Sequence, residues 1–296
     1  MIAVFGSINL DLVTHVPHIP APGETVLGAS YTRIPGGKGA NQALAARRAG
    51  AKVALLGATG IDEFADLALS LLLAEGVDLS AIAKAPVPTG AAFISVDAQG
   101  QNAITVASGA NGSAKGSQME RVTLHQGDVL LLQREVPDAE AEIAAKHAKE
   151  QGATIVLNLA PSGLIGDSYL ELIDVLIMNE QEAADLARAM GQSGALAELA
   201  AHLDERFHTA TVVTLGGEGA IGWIGGIESR VPANPVTVVD TTAAGDTFTG
   251  AFAAALEAGL EFPDAVRRGV VAGSLACAKP GAQTSIPTKA EIEAAL

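Results

Sequence analysis

Short apolar stretches alternate with longer amphipathic stretches along most of the chain. The apolar stretches have the length of β-strands, and the amphipathic ones repeat their apolar residues at helical spacing. The predicted strands and helices read, in chain order, IAVFGSI, NQALAARRA, KVALLGA, EFADLALSLLLAEG, DVLLLQRE, DAEAEIAAKHAKEQG, TIVLNLAP, VLIMNEQEAADLARAMG, LAELAAHLDERF and TATVVTLGG. This order predicts an α/β fold with a mostly parallel central sheet that helices cover on both faces.

Three further regions depart from this alternation. Near the end of the chain, GDTFTGAFAAALEAGL and DAVRRGVVAGSLACAK predict two helices rich in small residues, which can pack closely. Residues 12–34 and 89–107 do not fit the strand–helix repeat, and the second reads as a hairpin around DAQGQN. We interpret both as strands of a small second sheet beside the main one. Separate surface hairpins would explain the pattern equally well.

Composition and charge restrict the partners. The 296 residues carry a formal net charge of -15, so an acidic surface should repel nucleic acid and anionic membranes. No apolar run reaches the roughly 18 residues of a membrane helix, and the first residues read as a strand rather than a signal peptide. We therefore expect a soluble cytoplasmic protein. The single cysteine, Cys277, excludes an intramolecular disulfide and is interpreted as a small buried residue in a helix.

The glycine-rich stretches exclude two common nucleotide-binding motifs. No GxxxxGK[ST] sequence is present, because Lys38 is followed by Gly39. Gly217, Gly219 and Gly222 match the GxGxxG spacing of dinucleotide-binding proteins, but the residues after them predict a strand. A dinucleotide site requires a helix N-terminus under the pyrophosphate, which makes an NAD-dependent oxidoreductase an unfavoured alternative.

A more informative stretch is VVDTTAAGDTFTGAFAAAL, residues 238–256. Small residues lead there into a helix that we predict to start near Asp246. The backbone N–H groups of its first turn would form a hollow for an anion, with Asp246 inside it. Asp246 alone could equally be an ordinary helix N-cap.

Taken in order, several motifs resemble those of the ribokinase-like (PfkB) family of carbohydrate kinases. They are GSINLD, PGET, GGKGANQA, NEQE, TLGGEG, DTTAAGDTF and KPGAQTSIP, which run from Gly6 to Pro287. The resemblance implies one α/β domain over residues 1–296, with a Rossmann-like central sheet and a β-sheet lid from about 12–34 and 89–107. It also implies transfer of the γ-phosphoryl group of ATP to the primary 5-hydroxyl of D-ribose, or of another sugar or nucleoside.

The resemblance assigns residues to the sugar and to the reaction. Glycines admit a sugar ring against the backbone, and amide and carboxylate groups pair with its hydroxyls. Asp246 would be the base, with the N–H groups of residues 243–246 stabilising the transferring phosphoryl group. The residues implied for the sugar are Asn9, Asp11, Gly37, Lys38, Asn41 and Glu135, and those implied for catalysis are Ala243, Ala244, Gly245 and Asp246. Arg134 is a departure from the family, which commonly has an apolar residue there, and it would either alter the sugar preference or face solvent.

The resemblance also implies sites for ATP and for two cations. For ATP they are Asn179, Thr214, Gly216, Gly219 and Gly245. Mg²⁺ would be contacted by Glu182 through water. A K⁺ site would use Asp240, Thr242, Ala276, Lys279, Gly281 and Ser285.

The lid regions imply two further properties. A lid closing over the sugar would exclude water, which competes as phosphoryl acceptor. Lid sheets of this family often pair between subunits, which implies a homodimer. A sugar-binding protein without catalysis remains an alternative of another class, although it would lack either Asp246 or the nucleotide turn.

Overall fold

The computed structural model describes residues 1–296 and contains two β-sheets. The main sheet has nine strands in the order β13-β12-β11-β10-β9-β8-β1-β4-β5. Pairing is parallel from β11 to β5, and β12 and β13 are added antiparallel at the other edge. The strands of the main sheet are β1 Ile2–Phe5, β4 Val53–Thr59, β5 Ile82–Lys84, β8 Val129–Leu132, β9 Thr154–Asn158, β10 Val175–Asn179, β11 Ala210–Thr214, β12 Ala220–Ile224 and β13 Ile227–Val231.

Nine helices connect and cover these strands. They are α1 Lys38–Arg48, α2 Glu63–Ala74, α3 Asp138–Glu150, α4 Asp167–Leu170, α5 Glu180–Ala189, α6 Leu196–Phe207, α7 Ala244–Glu257, α8 Phe262–Ala276 and α9 Lys289–Ala295. Along β1, Ala3 and Phe5 face one apolar cluster while Ile2 and Val4 face another. Side chains alternate along a strand, so the two clusters of 39 and 32 buried residues lie on opposite faces of the sheet. The predicted mostly parallel α/β fold, covered on both faces, is confirmed.

The second sheet has four strands in the order β3-β2-β6-β7. Its strands are β2 Asn9–His15, β3 Tyr31–Gly36, β6 Gly90–Val96 and β7 Asn102–Ala107. The central pair, β2 and β6, is parallel, and the outer strands are antiparallel to it. The two irregular regions therefore form one small sheet and not separate surface hairpins.

Three local predictions need correction. Helix α1 begins at Lys38, not at Asn41, and α7 begins at Ala244, two residues before Asp246. Both helices start directly after a residue with positive φ, Gly37 at 90° and Ala243 at 58°, which fixes the turn into the helix. Cys277 is the residue after α8 and is only half-buried, so it is not the buried helical residue expected.

The GxGxxG glycines lie in and just after a short 3₁₀ turn and in a strand. Gly222 is in β12, so no helix follows the three glycines. A Cβ at Gly222 would lie 2.8 Å from the Phe262 ring, so the glycine lets α8 pack against the sheet. The dinucleotide-binding alternative is thereby excluded. None of the helices combines the length and apolar character needed to cross a membrane.

Candidate functional site

A cleft of ≈ 220 Å³ opens where the parallel strands of the main sheet end. Asn158, Asn179 and Thr214 are the last residues of β9, β10 and β11, and all three line the cleft. The carboxyl edge of a parallel sheet is the usual place for a ligand in α/β proteins. The other lining residues come from α1, from the start of α5, from the turn into α7 and from the strand ends: Lys38, Ala160, Ile177, Met178, Glu182, Thr241, Ala243, Ala244, Gly245 and Asp246.

The turn into α1 lies against the start of β2. Gly37 has a φ of 90°, and a Cβ there would lie 2.7 Å from the backbone nitrogen of Asn9. Only glycine allows this approach without strain. Next to it, Glu135 Oε2 accepts from Ser7 Oγ at 2.6 Å and from the Lys38 backbone N–H at 3.2 Å. Glu135 is therefore held against the start of α1 and is not a free surface charge.

Asp246 is buried at the start of α7, and α1 supplies a hydrogen bond to each of its carboxylate oxygens. Asn41 Nδ2 donates to Oδ2 at 2.9 Å, and Gln42 Nε2 donates to Oδ1 at 3.0 Å. Burial raises the pKa of Asp246, while the charge of Lys38 and the two amide donors oppose that increase. The net pKa is above the ordinary aspartate value, which suits a group that exchanges a proton.

The turn before Asp246 exposes backbone donors to the cleft. The N–H groups of Gly245 and Asp246 have no acceptor within the chain, as expected for the first turn of a helix. Ala243, Ala244 and Gly245 line the cleft. The N–H of Ala244 donates to Thr241 O at 3.2 Å, so one of the four predicted amides is already engaged. The remaining donors and the positive end of the helix dipole favour an anion here.

The side chains around Asp246 form a mixed charge cluster. Burial, followed by the charges of Glu135 and Asp246, raises the pKa of Asp11 to about 7. Burial alone would lower the pKa of Lys38, but the charges of Asp246, Glu135 and Glu182 outweigh it and raise that pKa. The charged residues predicted for the sugar therefore interact electrostatically with the predicted base, Asp246.

Two asparagines have polar atoms available to a ligand. Asn9 Oδ1 accepts from Asn111 Nδ2 at 2.7 Å, which leaves the Asn9 amide nitrogen as a donor. Asn41 Oδ1 is buried and has no hydrogen-bond partner in the chain. A buried acceptor without a partner is costly, so a hydroxyl group at this point would be favoured.

The predicted nucleotide residues do not all lie in the cleft. Asn179 and Glu182 form a capping box at the start of α5, with both hydrogen bonds at 2.8 Å, and both line the cleft. Gly216 is exposed and has open space around it. Gly219 is buried, outside the cleft lining, and a Cβ there would collide with the Val231 carbonyl. Packing against β13 therefore explains Gly219 without a ligand.

The two loops predicted to hold K⁺ are joined to each other. Asp240 Oδ2 accepts from the Gly281 N–H at 2.8 Å, and Oδ1 accepts from the Thr242 N–H at 2.9 Å. Burial alone would raise the pKa of Asp240, but these hydrogen bonds lower it. Ser285 is buried and donates to Ala282 O at 2.8 Å, which leaves its oxygen able to accept. The atoms available to bind a cation here are oxygens, the ligands that hard cations prefer.

Some residues of the site were not predicted. Gln42, Gln133 and Asn158 are buried and hydrogen-bonded in one chain that ends on Asp246, and Ser7 holds Glu135. The one signal in the sequence was a polar residue at the end of an apolar strand, as in VLLLQ and TIVLN. Arg134 neither faces solvent nor touches the sugar residues, because it binds Asp138 at 2.6 Å and Leu164 O at 2.9 Å.

The comparisons with known proteins agree with this geometry. The family described as "pfkB family carbohydrate kinase" matches residues 1–289. A ribokinase of Haemophilus influenzae is 39% identical over 98% of this chain and 96% of its own length. The crystal structure of a Thermotoga maritima ribokinase superposes with a TM-score of 0.92 at 33% identity, covering 99% of this chain and 98% of that one. An Arabidopsis thaliana ribokinase, solved with ribose and ATP, has a TM-score of 0.86 at 30% identity, covering 99% and 97%.

Proposed function

The chain belongs to the pfkB family of carbohydrate kinases, and we propose that it transfers the γ-phosphoryl group of ATP to the primary 5-hydroxyl of D-ribose. The observation that carries the proposal is the contact of the buried Asp246 carboxylate with Asn41, directly beside the unpaired amides that begin α7. A base and an anion site are thus adjacent, as phosphoryl transfer to a hydroxyl requires. The full-length similarity to ribokinases, one of them solved with ribose and ATP, supports ribose as the sugar.

The positions of these residues support the following roles. The sugar lies against Gly37, with Asn9, Asp11 and Asn41 pairing with its ring hydroxyls. Asp246 accepts the proton of the sugar 5-hydroxyl while the oxygen of that hydroxyl attacks the γ-phosphorus of ATP. The bond between the γ-phosphorus and the bridging β-phosphate oxygen breaks at the same step. The amides of Gly245 and Asp246 stabilise the charge on the transferring group. Lys38 lies in the same cleft and supplies positive charge.

Asn179, Thr214 and Gly216 would contact ATP from the strand ends. Gly219 shapes the turn that carries Gly216. Glu182 Oε2 is held by the Asn179 N–H, which leaves Oε1 to contact Mg²⁺ through water. Mg²⁺ supplies neutralisation of the phosphate charges when bound.

A K⁺ ion would be held by the two loops that Asp240 joins. Asp240 and Ser285 would provide side-chain oxygens. Carbonyl oxygens near Thr242, Ala276, Lys279 and Gly281 would complete the set. A cation there would keep the turn into α7 in place and would offset the negative charge of the site.

The four-stranded sheet is proposed as the lid and as a dimer contact. Asn9 and Asp11, which we propose to bind the sugar, lie at the start of β2 in this sheet, so movement of the sheet would open or close the proposed sugar site. Phe93, Ile104 and Val106 lie on its strands and are 51%, 54% and 47% exposed. Ile104 and Val106 share one face of the sheet, since they pair with Ile94 and Ala92, whereas Phe93 lies on the other face. The exposed apolar pair on one face supports pairing with a second copy of the sheet. A cytoplasmic homodimer is the proposed state.

The proposal is tested by a coupled assay of ADP release. The purified protein is given MgATP and, in turn, ribose, deoxyribose, other pentoses, hexoses and nucleosides, each with and without KCl. We expect the highest kcat/KM with ribose, a product carrying phosphate on O5, and faster turnover with K⁺. Absence of ADP release with every acceptor would refute the kinase function, and a preferred acceptor other than ribose would refute the substrate.

A further inference from the structure

Gln42 is fully buried in α1 and uses all its polar groups. Its Nε2 donates to Asp246 Oδ1 at 3.0 Å and to Asn158 Oδ1 at 3.1 Å, and its Oε1 accepts from Gln133 Nε2 at 2.8 Å. These contacts join residues that are 91 to 204 positions apart in the sequence. The chain of side-chain amides thus connects two strands of the main sheet, through α1, to the carboxylate on α7.

The direction of each hydrogen bond in this row of amides follows from the contact of Asn158 with a backbone carbonyl. The backbone carbonyl of Ile177 can only accept, so the group of Asn158 that faces it, at 3.3 Å, must be Nδ2. Asn158 Oδ1 is then the atom that faces Gln42, which requires the Gln42 Nε2 donor there. The same donor therefore faces Asp246, and Gln42 Oε1 faces Gln133. A flipped Gln42 amide would place an oxygen against both the Asp246 carboxylate and Asn158 Oδ1.

Gln42 differs from Asn41 in how far its polar atoms are already engaged within the protein. Neither Gln42 nor Gln133 lines the cleft, and both are 0% exposed. Gln42 therefore has no route to a substrate, and its contact is with the carboxylate. Asn41 binds the other carboxylate oxygen and also has a free acceptor for a ligand.

We propose that Gln42 is a positioning residue, whose amide, held by Asn158 and Gln133, fixes the orientation of the Asp246 carboxylate toward the acceptor hydroxyl. The inference rests on the function proposed above. With Oδ1 held by Gln42 and Oδ2 by Asn41, the plane of the carboxylate is set from outside the cleft. Holding the base in its reactive orientation lowers the free energy needed to reach the transition state.

The same hydrogen bond has an electrostatic consequence. A donor to a carboxylate favours its ionised form, and it opposes the effect of burial on the pKa of Asp246. Loss of the Gln42 donor should therefore raise that pKa. The acid limb of the kcat profile against pH would move to higher pH, which a purely structural role of Gln42 would not produce.

The test compares Gln42→Met with Gln118→Met, both of which keep side-chain length and remove a buried amide. Gln118 lies away from the cleft, donates to Gly57 O at 2.8 Å and Ala81 O at 2.6 Å, and accepts from Lys115 N at 2.8 Å. Thermal unfolding, kcat, the KM values for ribose and ATP, and the pH profile of kcat are measured for each. Both variants should unfold at lower temperature than the wild type, since both lose buried hydrogen bonds.

For Gln42→Met we expect a fall in kcat of about 10- to 100-fold, with the KM for ribose changed less than about threefold. Its acid limb should move to higher pH, since the lost Gln42 donor no longer lowers the pKa of Asp246. Gln118→Met should keep the wild-type kcat and acid limb. A folded Gln42→Met with wild-type kcat and pH profile would overturn the proposal.

A second variant covers the case in which Gln42→Met does not fold. Gln133→Met removes the anchor of Gln42 Oε1 but leaves its donor to Asp246. We expect a smaller fall in kcat, about three- to tenfold, at an unchanged KM for ribose. Wild-type kcat and acid limb in Gln133→Met would then overturn the proposal. If the wild type is active and the variants behave like it, only this inference is refuted. If the wild type itself shows no turnover, the proposed kinase function is refuted.

Discussion

No contact or backbone strain within the chain requires glycine at position 245. It is the second residue of α7, its φ is not positive, and a Cβ there would meet no atom within 4 Å. Glycine inside a helix costs about 0.5–1 kcal/mol relative to alanine. We expect the transferring phosphoryl group to approach the backbone in the open space beside Gly245, which would account for the glycine.

Gly245→Ala should therefore separate stability from activity. We expect unfolding free energy to stay equal or increase by about 0.5–1 kcal/mol, because alanine favours the helix. The kcat should fall at least about tenfold, because the added methyl occupies the space of the phosphoryl group. Thermal unfolding and steady-state ADP release measure both. Gly112→Ala, at another glycine with open space, is the control that should leave kcat unchanged, and an unchanged kcat in Gly245→Ala would contradict this explanation.

Asp11 should make the stability of the folded protein depend on pH. Its pKa of about 7 in the folded protein exceeds the unfolded value of about 3.9. Below pH 4 both states hold the proton and Asp11 has no effect. Between pH 4 and 7 only the folded state holds it, so the contribution of Asp11 to stability falls as pH rises and stays at its minimum above pH 7.

Asp11→Asn should remove this penalty. We expect the melting temperature of the variant, relative to wild type, to be higher at pH 8 than at pH 4.5, measured by differential scanning fluorimetry without ligands. Asp66→Asn, at an exposed position on α2, should show the same difference at both pH values. If the melting temperature of Asp11→Asn relative to the wild type falls as pH rises, the proposed effect of Asp11 ionisation on stability has the wrong sign.

At the scale of elements, the contact between α1 and α7 determines the site, since α1 carries Asn41 and Gln42 and α7 carries Asp246. A Cβ at Gly250, one turn after Asp246, would lie 2.5 Å from Ala45 Cβ and 2.6 Å from Gln42 O. The two helices are therefore packed backbone to backbone. The small residues of this stretch predict close packing, but they do not identify α1 as the partner.

Gly250→Ala should push the two helices apart. We expect a loss of about 1–3 kcal/mol in stability from overpacking. The kcat should fall as well, because Asp246 moves away from its two amide donors. Leu72→Ala, on the buried face of α2, is a control that costs about 2–5 kcal/mol by leaving a cavity. Measured below both unfolding transitions, Leu72→Ala should retain its kcat, and a Gly250→Ala variant with equally retained kcat would disprove the role of this contact.

For the whole molecule, most of the fold follows from local sequence patterns. Apolar strands such as VLLL and TIVLN, separated by amphipathic helices, specify the parallel sheet, and the resemblance to sugar kinases indicates the site residues. The features that the sequence could not predict depend on distant pairs. Gln133 and Gln42 are 91 residues apart, and Gln42 and Asp246 are 204 apart. No local pattern encodes such pairs, since they arise when strand ends and helix starts meet at one edge of the sheet.

The local differences between the sequence pattern and the structure also depend on how distant segments meet. The sequence pattern places the start of α1 three residues late because GGK reads as a loop, although Gly37 alone makes the turn. Gly219 fits a nucleotide motif by spacing, but the collision with Val231 that a side chain would cause appears only once β13 has folded back. Arg134 does not face solvent as a free side chain, because Asp138 and the Leu164 carbonyl hold its guanidinium.

The central claim is that Asp246 is the base for a sugar hydroxyl bound beside α1 and α7. The most direct measurement is kcat for ribose in Asp246→Asn, together with ribose affinity from isothermal titration calorimetry. We predict a fall in kcat of about 10²–10⁴-fold, the typical contribution of a general base, with ribose still bound within about tenfold of the wild-type affinity. Turnover by Asp246→Asn at the wild-type rate would contradict the account.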